Sequence, residues 1–74
     1  DYALVFPSDE VHRHLFHMLF VPFALDAIYV ADGEVQSISQ MQPWTGWSTG
    51  RADTVIEVAA GEVDVSVGDE VALI

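Results

Sequence analysis

The sequence predicts an all-β fold, a small barrel-like or sandwich domain of five to six mostly antiparallel strands. Three observations carry this. The dipeptide Asp32-Gly33 separates two runs of strand length; β-branched and polar residues alternate in the second half of the chain; and turn signals built on Gly, Pro, Asp and Ser recur at short intervals. With 74 residues the chain has the size of one small domain, and residues 1–74 are read as one.

The elements follow in order. Tyr2–Phe6 is a short apolar strand, which Pro7-Ser8-Asp9 is expected to close. Val11–Phe20 has two readings: Val11, Leu15, Met18 and Leu19 fit a helical stripe, whereas His14, Phe16, Met18 and Phe20 fit one face of a strand. Nearby prolines and aromatic content favour the strand; the other reading leaves a β fold with one short helical turn. Asp32 and Gly33 both tolerate positive φ and predict a two-residue type I′ turn between strands Leu25–Ala31 and Glu34–Met41. In Asp53–Ala60, Thr54, Ile56 and Val58 alternate with Val55 and Glu57, which is strand spacing. Val63, Val65 and Val67 alternate with Asp64 and Ser66, and Gly68-Asp69 turns the chain into Val71–Leu73.

Composition excludes several classes of function. The chain is 51% hydrophobic and 19% charged, a balance that collapses into a globule and not a disordered tail. Twelve Asp and Glu stand against two Arg and no Lys, a formal charge of −10. A non-specific nucleic-acid binder needs a cationic surface, as does a protein that docks on anionic lipid, so neither partner is expected. The absence of cysteine excludes a disulfide scaffold and any Cys-based zinc or redox site. His14–Ala31 is apolar, but Pro22 and Asp26 interrupt it and a turn ends it, so no membrane span or signal peptide is expected. The acid excess without lysine reads as adaptation to a salt-rich cytoplasm of the haloarchaeal kind, where carboxylates keep the surface hydrated.

Three groups of residues are candidates for chemistry. His12, His14 and His17, with Asp9 and Glu10 upstream, form the one cluster able to ligate Zn²⁺ or Ni²⁺. On a strand His12 and His14 share a face and His17 does not, so a three-histidine site requires a bulge. Otherwise these are partly exposed histidines beside carboxylates, and no cofactor is expected. Asp26, between Leu25 and Ala27, is either a strand-end carboxylate holding backbone donors or a buried acid/base group, with structural duty favoured. The stretch Gln42–Arg51 holds both tryptophans, two glycines and one of two cations, and shows no strand periodicity. It is read as a binding loop with Trp44, Trp47 and Arg51 as its contact residues. Trp44, after the rigid Pro43, is expected to fold back and cap the core, and Trp47 to stand exposed. No phosphate-binding glycine loop, nucleophile elbow, His-Glu-x-x-His helix or Ca²⁺ loop is present.

An ordered series of pieces resembles the domain of unknown function 192 family: Phe16-His17-Met18, Pro22-Phe23-Ala24-Leu25-Asp26-Ala27-Ile28, the Asp32-Gly33 hairpin, Pro43-Trp44, Val55-Ile56-Glu57-Val58-Ala59-Ala60-Gly61 and Gly68-Asp69-Glu70-Val71. The opening Tyr2-Ala3-Leu4-Val5-Phe6-Pro7 is similar to that family's apolar segment ending in Phe-Pro. The resemblance spans essentially the whole chain. It implies a mostly β domain with no established activity, here lacking the family's usual further N-terminal strand. Gly61 and Gly68 are also closer together than the family pattern, which places a small helical turn there.

Three functions remain in view. The first is a non-enzymatic binding module that contacts a protein, peptide or small ligand through the tryptophan-rich stretch. One version of it is a homodimer through an unpaired sheet edge. The second is a metal-assisted or acid/base enzyme using His12, His14, His17 and Asp26. The third is a structural domain of a larger assembly.

Overall fold

The computed structural model describes residues 3–18 and 22–71, apart from the side chains of Phe16 and His17. Within them the chain forms four strands: β1 (Ala3–His17), β2 (Leu25–Ala31), β3 (Glu34–Met41) and β4 (Trp47–Ala59). All pairings are antiparallel, in the order β1-β4-β2-β3. No described residue is helical, and no helix is long and apolar enough to cross a membrane. The fold is therefore all-β, with four strands in one open sheet in place of the five or six of a closed barrel or sandwich.

Two departures lower the count, and residues 72–73 of the expected run Val71–Leu73 lie outside the described residues. Tyr2–Phe6 and Val11–Phe20 were expected as separate strands, but Pro7-Ser8-Asp9 does not end the first. The chain runs on as β1, because the Ser8 hydroxyl, shared between the Asp53 carbonyl at 3.0 Å and the Glu10 carbonyl at 3.2 Å, ties the irregular stretch to β4. Pro7 is tolerated because β1 is an edge strand, where a missing N–H costs no ladder bond. The second departure is Val63–Val67, which alternates in sequence but is not a strand. There the Ser66 amide donates to the Asp69 carboxylate at 2.8 Å and the Asp69 amide donates back to the Ser66 carbonyl at 3.0 Å, closing a tight turn. Only Val65 of the three valines packs on the core, and the turn lays Glu70 against the start of β3.

The hairpin forms as expected. Asp32 and Gly33 have φ of 54° and 76°, the two left-handed residues a type I′ turn requires. β2 is sandwiched between β4 and β3, and its residues divide by parity between two cores. Leu25, Ala27 and Tyr29 join Met18, Met41, Ala52 and Val55 on one face. Ile28 and Val30 join Val35 and Val58 on the other, where Ile38, Ile56, Val65 and Val71 pack against them. A strand buried on both faces explains why Ala27–Val30 reads as an unbroken apolar run.

A bend in β4 positions everything that follows. Val55 lies opposite Tyr29, so the two share a face. Yet the Ser48 hydroxyl is 2.7 Å from the Tyr29 hydroxyl, and Ala52 belongs to the same core cluster. Straight strand would put Ser48 about 23 Å from Val55, far beyond one tyrosine's reach. β4 must therefore fold back, and its inward set changes parity from Ser48, Gly50 and Ala52 to Val55 and Glu57. β1 follows around the outside of the corner: Pro7 opposes Thr54 and His12 opposes Ala52, so residues 8–11 are taken up in a bulge.

Candidate functional site

The bend gives the start of β4 two unlike faces. Ser48, Gly50 and Ala52 face inward against Tyr29, and Trp47, Thr49 and Arg51 alternate with them on the outside. Directly opposed residues of an antiparallel pair share a face. The register Arg13↔Arg51, Leu15↔Thr49 and His17↔Trp47 thus adds Arg13 and Leu15 to the outer face. Trp47 is 68% exposed and Leu15 is 71% exposed. The chain's two cations face each other across this pair of strands. Arg13 Nη1 donates to Thr49 Oγ1 at 3.4 Å, and among the described residues neither arginine has a carboxylate partner. One side of the β1–β4 ribbon therefore carries an unneutralised cationic end and an exposed apolar end.

The stretch 42–51 is consequently not one loop. Residues 43–45 form a turn, and Trp47–Arg51 belong to β4. Strand periodicity is hidden there because the inward residues Ser48, Gly50 and Ala52 are small rather than apolar and large. Trp47 stands exposed as expected, but Trp44 does not cap the core; it is 54% exposed. The turn explains this. The Gly46 amide donates to the Gln42 carbonyl at 3.1 Å and the Thr45 amide to the Pro43 carbonyl at 2.7 Å, so the chain closes tightly and leaves Trp44 at the apex with φ of 66°. For a bulky residue that conformation is disfavoured.

The remaining candidates do not converge. The His12 and His14 rings stack with centroids 4.1 Å apart. His14 Nε2 lies 3.0 Å from the Ala52 carbonyl and, because a carbonyl only accepts, carries the donated proton. The His12 Nδ1–H likewise donates to the Arg13 carbonyl at 3.2 Å. The His17 side chain lies outside the described residues, and among the described residues no group of three His, Cys, Asp or Glu is placed to hold a metal. Asp26 pairs in register with Val58, at the far end of β4 from His12 and His14, and its carboxylate accepts the Gly61 amide at 3.0 Å in the turn after β4. That is the geometry of a strand-end carboxylate holding a backbone donor.

Two buried polar features lie outside all of these candidates. The Tyr29–Ser48 hydroxyl pair sits in the first core, where burial foremost raises the tyrosine pKa above its ordinary value; the Ser48 hydrogen bond lowers it and nearby Glu57 raises it. Glu57 is 7% exposed, between Ala27 of β2 and Leu4 of β1, and burial pushes its carboxyl above the usual range. The sequence carried one signal for it. Glu57 has the parity of Val55, so if Val55 faces the core of a central strand, Glu57 does too.

A family model, DUF192, described as an uncharacterized ACR, matches residues 1–73. The chain belongs to the DUF192 family. No curated protein and no solved structure matches it. The DUF192 description names no reaction, substrate or ligand, so the role of this DUF192 chain is argued from its own residues.

Proposed function

We propose that this chain is a non-enzymatic binding module whose contact surface is the β1–β4 face bearing Trp47, Leu15, Arg13 and Arg51, with Trp44 in the adjoining turn. The observation that carries the reading is Trp47: the bend leaves a large aromatic side chain in solvent beside an exposed leucine, on a rigid paired strand. Tryptophan and arginine together are the residues that dominate binding energy at interfaces. Trp44, held exposed in a disfavoured backbone conformation, adds a second exposed aromatic in the turn that precedes β4. Less supports the acid/base alternative, because His12 and His14 lie far along β4 from Asp26 and on the opposite face.

Trp47→Ala tests the proposal in two ways. A contact residue this exposed contributes little to folding, so the melting temperature should stay close to wild type. The variant should also abolish the shift in tryptophan emission that a partner-containing lysate fraction causes in wild type. A large loss of stability would make Trp47 a structural residue, and a fraction acting equally on both proteins would remove the surface from the account.

A further inference from the structure

We infer that the partner of this face is an extended acidic segment of another protein, with a carboxylate between Arg13 and Arg51 and an apolar side chain over Leu15 and Trp47. The inference rests on the binding reading above and adds the chemistry of the partner. Like charges directly opposite on neighbouring strands repel, with Cβ atoms about 4.5–5.5 Å apart. This chain places its only two cations in that arrangement although twelve carboxylates are available to separate or neutralise them. An anion seated between the guanidinium groups converts the repulsion into charge-assisted hydrogen bonds, for which the planar fork of arginine suits a carboxylate. Arg51 and Trp47 are four residues apart, about 13 Å along the strand. An extended peptide presents alternate side chains on one face, so an acidic residue and an apolar residue two positions away, matching Arg13 and Leu15, or four positions away, matching Arg51 and Trp47, fit the two ends.

The form of the surface narrows the occupant further. Small ligands need a concave site that buries most of their surface, whereas this is the outside of a two-stranded ribbon. A pocket lined by Asp32, Gly33, Glu34, Glu70 and Val71 lies elsewhere and is itself acidic. Nucleic acid and anionic membrane are extended polyanions, which a chain of charge −10 repels over a Debye length of about 10 Å at 0.1 M salt. A peptide with one or two carboxylates meets mainly the local cations.

The test is a selection from a random-peptide display library on the full chain, on Trp47→Ala and on Arg13→Gln/Arg51→Gln, after melting curves show both variants folded. Wild type should enrich peptides with Asp or Glu two or four positions from Phe, Leu or Trp. A representative peptide should bind the arginine variant at least tenfold more weakly, and its Glu→Gln analogue should lose a similar factor on wild type. Peptides that need Trp47 but carry no acid, or that ignore the arginine change, overturn the acidic partner and leave the binding reading standing. No enrichment on any protein overturns both. A dimer in sedimentation that either variant dissociates also overturns the inference, since the occupant is then a second copy.

Discussion

Gly50→Ala should destabilise the fold although it adds only one methyl group to a strand. A Cβ at Gly50 would stand 2.7, 2.8 and 2.9 Å from Cδ1, Cγ and Cε1 of Tyr29, well inside the 3.5–4.0 Å at which carbon atoms rest. The ring has little room to retreat, being fully buried with its hydroxyl 2.7 Å from Ser48. Gly50 is not among the left-handed glycines, so its backbone accepts alanine, and the lost chain entropy alone would stabilise by about 0.4–1 kcal/mol. Overpacking costs about 1–3 kcal/mol and outweighs that gain. The central net loss of about 1.3 kcal/mol corresponds to a fall in Tm of about 5–10 °C for a chain of this size. Thermal unfolding followed by circular dichroism reads it directly, with Gly50→Val falling further and Thr49→Ala on the outer face changing little. A Gly50→Ala variant as stable as wild type, or more so, would mean that β4 does not fold back onto Tyr29.

Three other outcomes follow from the same structure. Tyr29→Phe strips the buried Ser48 hydroxyl of its hydrogen bond and should cost about 1–3 kcal/mol in a urea melt; a neutral result would place that pair in solvent. Burial favours the protonated form of Glu57, so the folded chain holds that proton to higher pH than the unfolded chain, whose value is near 4.5. The penalty therefore grows as pH rises above 4.5 and is complete once folded Glu57 has ionised. Glu57→Gln should raise Tm at neutral pH relative to wild type and converge with it below pH 4.5, whereas a lower Tm at neutral pH would show the carboxylate to be stabilising. For the high-salt cytoplasm proposed for this chain, a charge of −10 predicts that Tm climbs as KCl rises to multimolar concentration and screens self-repulsion. A flat response would remove that proposal.

What the sequence made legible was local chemistry. Asp32-Gly33 fixed the β2–β3 hairpin with both strand ends in place, because a type I′ turn needs only its own two residues. The alternation of Thr54–Val58 gave the second half of β4 for the same local reason. The first half was hidden, since Ser48, Gly50 and Ala52 are inward only because the tyrosine they pack against arrives from β2, and small residues carry no hydrophobic signal. Val63–Val67 misled in the opposite direction, its alternation overridden by the Asp69 side chain capping the turn. The outer face was half visible. Trp47 and Arg51 could be picked out by residue type, but Arg13 and Leu15 join them only through the β1–β4 register, which depends on a bulge that no spacing in the sequence announces.

Which side of β4 meets Tyr29 decides whether the outer face is open to a partner, and an isotope-edited NOESY spectrum of the folded chain measures it. Close contacts from the Tyr29 ring to the Gly50 Hα and the Ala52 methyl, with none to the Trp47 indole, are the predicted result. Contacts from the Tyr29 ring to the Trp47 indole, with Gly50 silent, would turn the strand over and bury the surface on which the binding proposal stands.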